Sequence, residues 1–161
     1  MIGKALLIYE HESDHIDTFH TGENWCDVLM DDGHVALNDF ICRGDDAIPG
    51  ESSYALNRHA VEKSLWSLPG NMVLLFETNA GRESGNRTYA IENRPFFKFI
   101  EDEQVGMIKT KHVYQHRWNQ VGGSEILTTE HHGGQGCNIL FVDGSTGFIL
   151  TEEIGNLRWA P

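Results

Sequence analysis

Asn138-Ile139-Leu140-Phe141-Val142-Asp143-Gly144-Ser145-Thr146-Gly147-Phe148-Ile149-Leu150 sets an Asp-Gly pair between two apolar runs. That pairing is a favoured turn signal, and it predicts a β-hairpin. Upstream, Met72-Val73-Leu74-Leu75-Phe76 follows the turn residues Pro69-Gly70-Asn71. A continuous apolar run bounded in this way is expected of a strand covered on both faces. Ser53-Tyr54-Ala55-Leu56-Asn57 and Ile126-Leu127-Thr128-Thr129 read as shorter strands, and Ala60 to Leu68 as a helical turn with Leu65 and Trp66 facing inward. After the hairpin, Thr151 with Glu152-Glu153-Ile154 predicts a capped final helical turn.

The N-terminal segment has a different period. Ile2, Ala5, Leu6 and Tyr9 recur at helical spacing, so Met1 to about Phe19 reads as an amphipathic helix that frays into an acidic, His-rich stretch. A second helix carries Trp25, Val28 and Leu29, with Asn24 as its cap and Gly33 at its end. Helices first and strands later give the expected fold class: α+β, a long N-terminal α-helix packed on an antiparallel β-sheet. The expectation is a single domain over 1–161, with 1–22 as the helix end and 82–115 as an inserted loop region.

The 161 residues carry a formal net charge of -12. That sign argues against nucleic acid as a partner, because a phosphate backbone calls for a basic surface, and it disfavours docking on anionic lipid. No apolar stretch approaches the roughly 20 residues of a bilayer-crossing helix. The three cysteines, Cys26, Cys42 and Cys137, allow at most one intramolecular disulfide. A Cys26–Cys42 bridge requires an oxidising compartment.

Nine histidines make metal binding the main chemical question. His11-Glu12-Ser13-Asp14-His15 matches the zinc-protease pattern, in which two imidazoles one helical turn apart hold the ion and the glutamate activates water. Here it stands where the first helix frays. A second set is His131 and His132 before the loop Gly133-Gly134-Gln135-Gly136, with Asp143 returning from the hairpin turn. Two imidazoles and a carboxylate can hold a divalent ion, calcium or zinc; the plainer alternative is that His132 locks the loop onto the hairpin. The acidic pairs Asp31-Asp32 and Asp45-Asp46 read as solvated turns, and no cofactor is firmly implied. No Gly-x-Ser-x-Gly elbow is present, so the chain reads as a binding or assembly module before it reads as an enzyme.

Several blocks, taken in order, resemble the G-like pseudopilins of type II secretion systems. They are Trp25-Cys26-Asp27-Val28-Leu29, Phe40-Ile41-Cys42, Ser53 to Asn57, Met72 to Glu77, Trp118-Asn119-Gln120-Val121-Gly122-Gly123, and a closing signature from His132 through Asn138 to Asp143-Gly144. Arg43 stands where the family has proline, and Ser145 and Gly147 stand where it has His and Glu. The resemblance implies a non-catalytic head for assembly and docking, with other pseudopilin-like subunits or secretion-system proteins as partners. It also implies an extracytoplasmic location, periplasmic or cell-surface, and an apolar segment upstream. The rivals are a His/carboxylate metal-dependent hydrolase and a soluble small-ligand or carbohydrate-binding relative using Trp118.

Overall fold

Five strands lie in the order β3-β1-β2-β4-β5 in the computed structural model, which describes residues 2–12, 25–31, 33, 35–61, 63–80 and 117–161. They are β1 (Tyr54–Asn57), β2 (Val73–Glu77), β3 (Val121–Gly122), β4 (Gly136–Phe141) and β5 (Thr146–Leu150). Two helices precede them, α1 (Ile2–Glu12) and α2 (Trp25–Asp31). The β4–β5 hairpin forms as the Asp-Gly signal predicts. Gly144 takes φ +83° in the turn, a left-handed conformation that side chains resist.

The expected long N-terminal helix on an antiparallel sheet is overturned. α1 has eleven residues, α2 has seven, and β3 pairs with β1 in parallel, so the sheet is mixed. Ile2, Ala5 and Leu6 are the buried positions of α1, and a helix this short depends on such a packed face. Asn24, His15 and the 82–115 region lie outside the described residues. Ile126 to Thr129 forms no strand; it makes one bridge, Leu127 to Thr78, between two 3-10 turns.

The sheet is covered on both faces. Ile2, Ala5 and Leu6 of α1, Trp25 and Leu29 of α2, and Phe40 pack on Leu56, Leu74, Leu75 and Leu140. The opposite face, with Ala55, Val73, Phe76, Cys137 and Ile139, is covered by Ile154, Leu157 and Trp159 of the C-terminal tail. All five residues of β2 are buried, as its apolar run requires. The β2–β4 register slips between Val73 and Leu75, a bulge that turns both Leu74 and Leu75 toward the helices. Full burial of each such leucine stabilises by about 1.5–3 kcal/mol.

Segment 117–122 straps α2 to the sheet edge. The Trp25 indole N–H donates to the Gln120 carbonyl (3.0 Å), and the Trp118 indole N–H and Asn119 amide donate to Asp27 (2.7 and 2.6 Å). Trp118 is thus 3% exposed and packs on Phe40, a core position rather than a platform for a sugar.

Candidate functional site

Polar groups from four separate chain segments meet at the Glu77 end of β2. Cys42, Asp45 and Glu51 come from the loop leading to β1, Glu77 from β2, Arg117 from the strap before β3, and His131 and His132 from the 3-10 turn Glu130–His132 before β4. Asp45, Glu51, Glu77 and Arg117 have side chains no more than 2% exposed. Gly44 allows the first loop to lie against the His turn: the His131 backbone carbonyl occupies the position where a Cβ would stand.

One half of the cluster is ionic. The Arg117 guanidinium is forked, donating to Asp45 Oδ2 through Nη2 and to Glu51 Oε2 through Nη1 at 3.2 Å. Asp45 Oδ2 also accepts from the Ser53 hydroxyl (2.7 Å), and that hydroxyl oxygen accepts the Cys42 backbone N–H (2.9 Å). The Ile48 N–H donates to Glu51 (3.2 Å), and the Ser52 N–H donates to the Arg117 carbonyl (2.6 Å). A buried guanidinium needs such partners, because an uncompensated interior charge is costly.

The other half centres on Glu77. Its carboxylate accepts the Asn138 backbone N–H (2.8 Å) and side-chain amide (2.9 Å), and Oε1 lies 3.1 Å from His132 Nε2. The Cys42 thiol hydrogen-bonds Glu77 as well, and Cys42 Sγ lies 3.6 Å from His132 Nε2. Burial alone would push the Glu77 carboxyl up, but the hydrogen bonds from Asn138, Cys42 and His132 outweigh it and hold the group below its usual range. Burial pushes the Cys42 thiol up to about 11, reinforced by its bond to Glu77, so it is no activated nucleophile. Burial holds His131 below the usual imidazole value despite the carboxylates of Asp45 and Glu77. Both ring nitrogens of His131 are buried without a hydrogen-bond partner, although Nε2 lies 3.4 Å from Asp45 Oδ2.

Donor atoms of Cys42, Glu77 and His131 all lie within 4.8 Å of one another, so this buried group can hold a metal ion. The sequence candidates distribute unevenly around it. His131 and His132 both reach the cluster. Asp143 is exposed at the hairpin turn, where it accepts from the Ser145 N–H (2.9 Å) and hydroxyl (2.6 Å). His11 is exposed on α1, where it lines a cavity with Leu7, Trp66 and Asp143, and His15 lies outside the described residues. The sequence reading missed Cys42, Glu77, Asp45 and Arg117 as one centre. A usable signal was present in Glu77, a carboxylate directly attached to the most apolar run of the chain.

Comparison of the chain with protein-family models, with curated proteins and with solved structures gives no match. Among the described residues no helix is long and apolar enough to cross a membrane.

Proposed function

We propose that this chain is a non-catalytic docking head of the pseudopilin-like kind, working outside the cytoplasm beside other pseudopilin-like subunits or secretion-system proteins. One observation carries the proposal: the polar centre directs its hydrogen bonds inward, to its own loops. Asp45, Glu51, Glu77 and Arg117 are covered, so a substrate has no direct path to them. The His132 to Asp143-Gly144 signature, which carries the resemblance, folds into a turn and hairpin that close over Glu77. A centre of this kind stiffens the scaffold and leaves contact with partners to the surface.

On that surface Trp66 is 79% exposed, and Phe148 and Leu150 of β5 are exposed at 44% and 43%. A photo-crosslinking residue placed at Trp66 in the native cell tests the proposal. Adducts with pilin-like or secretion-system subunits are expected; a chain that forms no adduct, or one only with unrelated cytoplasmic proteins, contradicts it.

A cavity of about 270 Å³ favours a second reading, a small-ligand binder. Leu7, Leu65 and Val142 form its apolar wall, and Trp66, His11 and Asp143 complete it. Saturable quenching of tryptophan fluorescence by a small apolar probe, abolished in Trp66→Ala, supports this reading; no quenching removes it.

A further inference from the structure

We propose that Cys42, Glu77, His131 and His132 form a structural zinc site of one thiolate, one carboxylate and two imidazoles, joining the loop before β1, the end of β2 and the turn before β4. Four independent features of the cluster converge on it.

The first is spacing. Zinc bonds of roughly 2.3 Å to sulfur and 2.0–2.1 Å to nitrogen or oxygen, set tetrahedrally, separate neighbouring donors by roughly 3.3–3.6 Å. Cys42 Sγ to His132 Nε2 is 3.6 Å, and His132 Nε2 to Glu77 Oε1 is 3.1 Å. His131 offers a ring nitrogen within 4.8 Å of both the sulfur and the carboxylate.

The second is the hydrogen-bond conflict at His132. Its Nε2 faces the Glu77 oxygen at 3.1 Å and the Asn138 side-chain amide at 3.0 Å. An unprotonated Nε2 accepts from the amide but sets its lone pair against the carboxylate. A protonated Nε2 donates to the carboxylate but meets an amide N–H. A cation between the nitrogen, the oxygen and the sulfur removes the conflict, and leaves the Asn138 amide to Glu77, to which it already donates at 2.9 Å.

The third is His131, 6% exposed, with neither ring nitrogen hydrogen-bonded. Native proteins rarely leave a buried donor and acceptor without partners. With one nitrogen on zinc, the N–H belongs to the other, and Asp45, itself held by Arg117, is the carboxylate within reach. Such a carboxylate behind a ligand imidazole is the usual outer support of a zinc histidine.

The fourth is charge. Among the described residues, three buried carboxylates, Asp45, Glu51 and Glu77, stand beside one guanidinium, Arg117, which ion-pairs with Asp45 and Glu51. Among the described residues no lysine or arginine ion-pairs with Glu77. A divalent cation offsets that excess.

Sulfur and imidazole donors select zinc over calcium, which takes oxygen ligands. Four protein donors leave no open position for substrate, the mark of a structural rather than a catalytic site. On coordination the Cys42 thiol gives its proton to solvent and its sulfur lone pair to the metal.

The test uses the whole chain, stripped by chelator and reloaded with zinc or cobalt. Expected are one zinc per chain and an X-ray absorption shell of one sulfur at about 2.3 Å with three nitrogen or oxygen atoms at about 2.0–2.1 Å. Cobalt should give an intense tetrahedral visible spectrum with a thiolate charge-transfer band. That band should persist in Cys26→Ala and Cys137→Ser and vanish in Cys42→Ser. Loss of the imidazole in His131→Gln should weaken zinc at least about 10- to 100-fold, the range that supporting groups alone command. If Cys42→Ser does not fold, persistence of the band in the other two cysteine variants assigns the sulfur by elimination. Failure to retain zinc, an all-oxygen shell in the wild-type chain, or a thiolate band that survives Cys42→Ser overturns the site.

Discussion

The guanidinium of Arg117 donates to the carboxylate of Asp45 in the interior of the protein, and neither side chain is more than 1% exposed. The residues are 72 positions apart, so the pair joins the loop before β1 to the strap before β3. Removing one member leaves the other as an uncompensated buried charge. Asp45→Asn and Arg117→Met should each cost about 3–5 kcal/mol in chemical denaturation. A cost below about 1 kcal/mol would mean that water reaches the pair.

Gly44 makes a second, steric prediction. A methyl group there collides with the His131 carbonyl, a backbone atom that cannot swing aside. Gly44→Ala should lower stability by about 1–3 kcal/mol, as overpacking does. Gly155 has no atom within 4 Å of its Cβ position, so Gly155→Ala should stay within about 0.5 kcal/mol of the parent. Equal effects of the two substitutions would contradict the close approach of loop and turn.

Stability of the metal-free protein should fall with acid in two stages. His131 lies below the usual imidazole value of 6.5, chiefly through burial, so unfolding takes up a proton once the pH drops below that value. Glu77 lies below its usual 4.5 because its hydrogen bonds outweigh burial, so a second loss begins below about that pH. Both folded values are depressed; each contribution is therefore complete above the unfolded value and lost as pH falls through the folded one. Denaturation midpoints measured from neutral pH downward should decline from about pH 6.5, and His131→Gln should flatten that upper stage. A profile unchanged down to about pH 5 contradicts the neutral, buried imidazole.

The tryptophans divide sharply. Trp25 is fully buried, rests on Phe40 with ring centroids 5.8 Å apart, and bonds Gln120; Trp66 is 79% exposed. Trp25→Ala should cost about 3–5 kcal/mol, whereas Trp66→Ala should change stability by less than about 0.5 kcal/mol. Thermal melts of both variants decide, and a large loss in Trp66→Ala would move that ring into the core.

The strands were legible in the sequence because their signals are local. Val73 to Glu77, Tyr54 to Asn57 and the β4–β5 hairpin follow from apolar runs and turn residues. The parallel β3–β1 contact was not legible: β3 has two residues, and its place depends on side chains such as Asn119 and Trp118 binding Asp27 some ninety positions away. The length of the first helix was not legible, because the His-rich stretch after Tyr9 keeps helix-compatible spacing and offers no clear stop signal, whereas α1 has eleven residues. In the polar centre, His131 and His132 stand out as an adjacent pair before a glycine-rich loop, while sequence proximity alone links Asp143 to them. Asp45 reads from sequence as a solvated turn, since a carboxylate in a Gly-Asp-Asp run carries no local mark of a guanidinium arriving from residue 117.

Native-state hydrogen exchange tests the central claim, that the polar centre belongs to the rigid core of a docking scaffold. The amides of Cys42, Ser53 and Asn138, bonded to Ser53, Phe40 and Glu77, should exchange only when the whole protein unfolds, with the same free energy as the amides of β2. Exchange of these amides through a separate, low-energy opening, while β2 stays protected, would show a mobile pocket where the account places a brace.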